Sequence, residues 1–223
     1  MAEPPSLVIF DCDGVLVDSE SISLRLLLET LASAGVALTP AEADELFLGR
    51  SLATTREIVA RDYGLVVTDA ALDAMRRALY AAFRAELRPI TGVAETLDAL
   101  ACGYCVASSS QPERVRLSLE VTGLWPRFEG RAFSSTMVAR GKPFPDLFLH
   151  AARGLGYAPA ACLVVEDSPA GIRAAQAAGM RVVAFTGGSH AARQEYRDRV
   201  AALAPDAVID DIRELVRLCR GDT

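Results

Sequence analysis

The chain has 223 residues, 51% of them apolar, and its 29 acidic residues outnumber 23 basic ones for a net charge of −6. The apolar fraction excludes a disordered chain, and the length suits one α/β domain or a core with a modest insertion. The acidic balance argues against a protein that grips nucleic acid or anionic lipid. Every basic residue but one is arginine, the exception being Lys142. A sequence that writes arginine on its surface by habit makes its single lysine a candidate for a place where only a compact ammonium serves.

In chain order, the first strand-length apolar run is Leu7-Val8-Ile9-Phe10. A stretch without convincing strands follows, carrying amphipathic helical patterns over Ser23 to Ala34, Ala53 to Tyr63 and Ala70 to Leu87, with a capping box at Thr39-Pro40-Ala41-Glu42. We read residues 19–88 as a helical insertion and residues 1–18 with 89–223 as the core. The strand rhythm resumes at Tyr104-Cys105-Val106-Ala107, and Ser110-Gln111-Pro112-Glu113 predicts a second capping box for a helix stopped by Gly123. Arg131-Ala132-Phe133 and Leu163-Val164-Val165 come next, then a helix opened by Ser168-Pro169 and closed by Gly179. Val182-Val183-Ala184-Phe185 and Ala207-Val208-Ile209 complete the set. Continuous apolar runs suit strands buried on both faces, so the expected fold is α/β: a Rossmann-like parallel sheet with helices on both faces plus an inserted α-helical cap domain.

Other classes are closed by single counts. With only His150 and His190, a three-histidine zinc site is impossible, and a Ser-His-Asp triad would rest on one of these two. His190, after the fifth strand, is read as a loop residue starting a helix. The five cysteines are not a disulfide framework, and Cys102-x-x-Cys105 reads as small residues entering a buried strand. The N-terminus lacks the pattern of a signal peptide and no stretch approaches a membrane span, so a cytoplasmic protein without membrane or nucleic-acid partners is expected.

The chemistry gathers at strand ends. Asp11 and Asp13 end the first run, and alternate residues of a strand share a face. Ser108-Ser109-Ser110 ends the second at a helix start, where hydroxyls and N–H groups bind anions. Gly141-Lys142-Pro143 follows the third and Glu166-Asp167-Ser168 the fourth. Each has a plainer reading: Ser110 as a helix cap, Lys142 as an exposed lysine, Glu166 and Asp167 as complements to a helix dipole.

Taken together, Asp11-Cys12-Asp13-Gly14-Val15-Leu16-Val17-Asp18-Ser19, Ser108, Gly141-Lys142-Pro143 with Pro145-Asp146, and Glu166-Asp167-Ser168 with Ala170-Gly171 resemble the four motifs of the haloacid dehalogenase-like hydrolases. The insertion resembles the helical cap of the branch containing β-phosphoglucomutase and small sugar-phosphate phosphatases. The resemblance implies Asp11 as nucleophile, Asp13 as acid and base, and Ser108, Ser109 and Lys142 as phosphoryl-binding groups. It implies Mg²⁺ held by Asp11, Asp13 and Asp167, with Glu166 in support. The expected partner is a small phosphorylated metabolite, such as a sugar phosphate or a sugar-acid phosphate like 6-phosphogluconate. Monomer and homodimer both stay open. A phosphomutase is the alternative, weakened because its cap histidine and arginine fall at Ser23 and Leu52. A non-catalytic metabolite-binding protein is the third reading. Glu20, Ser23, Phe47, Arg50 and Ser51 are the candidates for cap-side specificity.

Overall fold

The computed structural model describes residues 3–47, 52–65 and 67–220. Its sheet has six parallel strands: β1 (Leu7–Phe10), β2 (Gly103–Ser108), β3 (Ala132–Ser134), β4 (Cys162–Glu166), β5 (Arg181–Phe185) and β6 (Ala207–Ile209), in the order β3-β2-β1-β4-β5-β6. All six apolar runs named from the sequence are strands. Four of the six extend or shift by a residue at an end, because backbone pairing can include flanking residues such as Gly103 and Glu166 that are not part of the apolar signal.

Among the described residues, eleven α-helices accompany the strands. Between β1 and β2 lie α1 (Glu20–Ser33), α2 (Pro40–Phe47), α3 (Leu52–Tyr63), α4 (Asp69–Glu86) and α5 (Val93–Ala99); α6 (Pro112–Val121) and α7 (Trp125–Phe128) follow β2. After β3 comes α8 (Asp146–Gly154), after β4 α9 (Pro169–Ala177), after β5 α10 (Gln194–Ala201), and α11 (Glu214–Arg220) follows β6. No helix among the described residues is long and apolar enough to cross a membrane.

The pleat divides the strands between two cores. Val8, Phe10, Val106, Val165 and Val183 pack on one face with Val93, Leu119 and Leu215 from α5, α6 and α11. Leu7, Ile9, Cys105, Val164 and Val182 pack on the other with Phe148, Ile172 and Val200 from α8, α9 and α10. The inner strands therefore need apolar residues at successive positions, which is why the runs are continuous rather than alternating.

Helices α1 to α3 share an apolar cluster of their own, in which Leu31, Ala43, Phe47, Ile58 and Val59 are buried, and α4 packs against α1 to complete a helical layer while its Leu79 and Phe83 join the first core. The chain enters and leaves this layer through adjacent segments. The Asp18 N–H donates to Arg88 O at 3.0 Å, the Ile90 N–H donates to Leu16 O at 3.0 Å, and Val17 bridges Pro89 antiparallel. Because β1 lies between β2 and β4, the strand order runs outward in both directions from it, and the helical layer is tethered beside this switch point, where open parallel sheets bind ligands.

Local signals account for several helix ends. The Thr39–Glu42 capping box forms, with the Thr39 N–H donating to Glu42 Oε2 at 2.8 Å and the Glu42 N–H to Thr39 Oγ1 at 3.3 Å. Ser168 caps α9 by accepting from the Gly171 N–H at 3.1 Å. The capping box expected at Ser110 does not form: Gln111 occupies the N-cap of α6 without a side-chain bond, because the Ser110 hydroxyl is drawn to Asp13 instead.

Phe10 is fully buried at the centre of the sheet. Phe10→Ala is expected to cost about 3–5 kcal/mol, read as a lowered urea midpoint with an unchanged slope. A loss below about 1 kcal/mol would contradict this packing.

Candidate active site

Asp11 follows β1 directly, its N–H donating to Val165 O at 2.9 Å, so the sheet ladder itself fixes the carboxylate's origin. Lys142 reaches the same place from the segment after β3. Its ammonium donates to Asp11 Oδ1 at 2.5 Å, to Glu166 Oε1 at 2.6 Å and to Ala107 O at 3.0 Å, and lies 4.8 Å from the centre of the Phe148 ring. The lysine side chain is 3% exposed. It is therefore no surface lysine, and all three donor hydrogens of the ammonium have an acceptor. Burial opposes its charge, but Asp11 and Glu166 outweigh burial and hold it protonated.

Glu166 ends β4, with both carboxylate oxygens engaged. Oε1 receives Lys142, and Oε2 receives the Ser168 N–H at 2.7 Å and the Ser168 hydroxyl at 2.9 Å. Gly171, one turn into α9, packs directly on this carboxylate, leaving no room for a Cβ. Asp167 lies next to it and is 3% exposed. Its backbone carbonyl accepts from the Tyr196 hydroxyl at 2.9 Å, and its Oδ2 lies 2.9 Å from His190 Nε2. Neither ring nitrogen of His190 is in hydrogen-bond geometry, and burial depresses this imidazole's pKa. His190 does begin a short 3₁₀ turn after β5, but it is buried against Asp167 rather than lying in a solvated loop.

Asp13 stands in a second polar group. It accepts from the Ser19 hydroxyl at 2.6 Å, the Ser110 hydroxyl at 2.7 Å and Arg114 Nη2 at 2.8 Å. Arg114, on α6, also donates to Ser23 Oγ at 3.2 Å, and its guanidinium lies 5.2 Å from the Phe83 ring centre, so one side chain joins Asp13 to α1 and α4. Sequence reasoning missed this arginine: nothing in composition separates it from the other arginines. It also treated Ser110 as a cap and gave Ser19 no role.

The two aspartates diverge electrostatically. Burial raises the pKa of Asp11 well above the usual carboxylate range; Lys142 opposes this, whereas Glu166, Asp167 and Asp13 reinforce it. Burial also pushes Asp13 up, but the Arg114 charge and the three hydrogen bonds outweigh it and leave its pKa depressed. Asp167 is raised by burial and by Glu166. Glu20, partly buried at the start of α1, is pushed up to about 8 by burial first and then by Asp13 and Asp167.

Asp11, Glu166 and Asp167 each present a carboxylate oxygen within 4.8 Å of the others. Three buried carboxylates face one ammonium, since Asp13 is matched by Arg114. That surplus of negative charge and the all-oxygen donor set fit a hard divalent cation.

These groups open into one cavity of about 350 Å³ between the sheet and the helical layer. It is lined by Asp11, Asp13, Ser108, Ser109, Lys142, Glu166 and Asp167, and by Glu20, Ser23 and Phe47 from the expected cap-side set. Arg50 and Ser51 lie outside the described residues. Ser135 and Thr136 also line it without having been anticipated. Ser108 is buried and accepts from the Ser110 N–H at 3.0 Å, which shapes the turn.

The architecture is a parallel α/β fold with a buried acidic, lysine-bearing pocket at its strand ends, and comparison with known proteins gives the family. Residues 8–185 match the model of the haloacid dehalogenase-like hydrolases, and the chain belongs to that family. It is 33% identical over 184 residues to a 6-phosphogluconate phosphatase of Escherichia coli (strain K12), covering 82% of this chain and 83% of that protein. A conserved haloacid dehalogenase-like protein of unknown function from Agrobacterium tumefaciens superposes with a TM-score of 0.84 at 34% identity, covering 97% of this chain and 98% of the other. A family hydrolase from Deinococcus radiodurans, solved with bound phosphate and sodium, superposes at 0.77 with 31% identity over 98% and 96%. The family and its phosphatase relatives make this chain a phosphoric monoester hydrolase.

Two outcomes follow from the geometry. Gly171→Ala, stabilising by about 1 kcal/mol at an ordinary helical site, is expected here to lower the urea midpoint and cut turnover, because its methyl group displaces the Glu166 carboxylate. A more stable, fully active variant would contradict the contact. For Glu20, a folded-state pKa above the unfolded one favours the neutral acid in the folded protein. Metal-free protein therefore loses stability as pH rises from about 4.5, the ordinary value, to about 8. Glu20→Gln should flatten that decline by several kcal/mol, at most about 5 for the full difference in pKa at about 1.4 kcal/mol per pH unit, measured by urea titration across this range in chelator. An unchanged slope would show that Glu20 ionises normally.

Proposed function

We propose that the protein is a Mg²⁺-dependent phosphatase of a small phosphomonoester, working through an aspartyl-phosphate on Asp11. The observation that carries this reading is the buried Lys142 ammonium shared between Asp11 and Glu166. A carboxylate that must attack an anionic phosphoryl group needs a fixed counter-charge, and an ammonium can contact both nucleophile and phosphoryl oxygen.

The metal would be held by the carboxylates of Asp11 and Asp167 and the backbone carbonyl of Asp13, with Glu166 alongside. When bound it neutralises phosphoryl charge and lowers the pKa of Asp11, which burial alone sets too high. Ser108 Oγ and the Ser109 N–H hold the equatorial oxygens. An Asp11 oxygen attacks phosphorus in line, the P–O bond to the alcohol breaks, and the leaving oxygen takes a proton from Asp13. Asp13 then accepts a proton from the water that attacks the aspartyl-phosphate; the P–O bond to Asp11 breaks to free its carboxylate, and the Asp13 proton departs with the inorganic phosphate, which restores the second carboxylate.

The depressed pKa of Asp13 means that the resting enzyme lacks the proton it must deliver. The substrate can supply it. Phosphomonoesters have a second ionisation near pH ~6, and Ser110 and Arg114 hold Asp13 at the mouth where such a monoanion arrives.

The helical layer is the proposed cap, closing the chamber against bulk water before chemistry. The 6-phosphogluconate relative supports a sugar-acid phosphate as one substrate to assay. Binding without turnover is disfavoured because nothing in mere binding requires two aspartates held in opposite ionisation environments.

The reading is tested by phosphate release from a panel of small phosphomonoesters. Parent enzyme with Mg²⁺ should turn over at least one; chelator should abolish release and added Mg²⁺ restore it, and Asp11→Asn should be inactive. Lys142→Arg should lose at least about a hundredfold in turnover, because a planar guanidinium cannot place one point charge among Asp11, Glu166 and Ala107 O. Near-parental activity in either variant would contradict the assigned roles.

A further inference from the structure

The cavity has two unlike ends. One holds the carboxylates and Lys142; the other is walled by Leu24, Leu27, Phe47, Met75, Leu79 and Tyr80, carried by α1, α2 and α4. Leu24, Leu27 and Phe47 belong to the apolar cluster of the helical layer, and Leu79 and Tyr80 to the core beneath it. Met75 belongs to neither, so its side chain faces the chamber without being needed by either core.

Of the polar side chains on this wall, Ser23, Arg114 and Arg76 are already engaged, which leaves Thr55 and the Tyr80 hydroxyl. The Ser23 hydroxyl donates to Ser19 O at 2.9 Å and accepts from Arg114; Arg114 is paired with Asp13; Arg76 is paired with Asp73 at 3.0 Å. A polyhydroxylated leaving group entering here would surrender water at each hydroxyl and find few partners among the described residues. An apolar ring would instead cover the side chains of this wall and lose little.

We infer that the chamber selects phosphomonoesters whose alcohol carries an apolar, ring-sized body over polyhydroxylated ones of similar size. This rests on the phosphatase reading and names the substrate class of the same site.

The test compares kcat/KM for 2-phenylethyl phosphate with that for ribose 5-phosphate and 6-phosphogluconate in Mg²⁺; all three leave as primary alcohols, so leaving-group chemistry is matched. The expected preference for the phenylethyl ester is about tenfold or more, the discrimination an apolar pocket gives for a few buried carbons. Met75→Gln, similar in length but polar, should lower this ratio several-fold. Equal or better use of the polyhydroxylated esters overturns the inference and leaves the phosphatase reading standing, as does an unchanged ratio in Met75→Gln. If no ester releases phosphate the hydrolase reading falls, and calorimetric binding to Asp11→Asn decides the inference alone: tighter binding of the phenylethyl ester keeps it, and equal or weaker binding overturns it.

Discussion

One ammonium held among buried carboxylates is the interaction on which the rest of the site depends. Burying Asp11, Glu166 and Asp167 together would be prohibitive without a compensating charge, and Lys142 supplies it through bonds to two of them. The requirement reaches into the fold. β1 and β4 must be neighbours for Asp11 and Glu166 to share a cation, and β2 must lie on the other flank of β1 for Ala107 O to accept its third hydrogen. The polar ends of three adjacent strands are thus bound to a single atom. What remains after that pairing is negative, and a negative, oxygen-lined, buried site is a place for a divalent cation and an electrophilic phosphoryl group.

A second ion pair, Asp13 with Arg114, is separate from the first and faces the other way. Lys142 belongs wholly to the strand-end cluster, whereas Arg114 reaches from α6 across Asp13 to Ser23 on α1 and lies against Phe83 on α4. The residue proposed to exchange protons with substrate is therefore also linked, through Arg114, to the helical layer. The closure proposed for that layer would reach Asp13 through this shared side chain.

Much of this was legible in the sequence, and the gaps have physical reasons. Six continuous apolar runs gave six strands because strands covered on both faces admit few polar residues. Asp11, Asp13, Lys142, Glu166 and Asp167 stood out because strand ends are where a parallel sheet puts its chemistry, and the lysine because it was alone. Arg114 was invisible: its contact with Asp13 spans 101 residues, and one arginine among many carries no compositional mark. Ser110 was misread because a hydroxyl before a proline-led helix start looks like a cap, and only the tertiary fold offers it a carboxylate instead. The apolar wall around Met75 was equally hidden, since a methionine on an amphipathic helix reads as core until the structure shows neither core using it.

The central claim is that Asp11, held by Lys142, accepts the phosphoryl group. Rapid quenching during turnover, followed by borohydride reduction and peptide mass spectrometry, addresses it directly. The account predicts that position 11 alone is converted to homoserine, and only when substrate is present. Reduction at Asp13 or Asp167 instead, or no substrate-dependent reduction in an enzyme that is turning over, would contradict it.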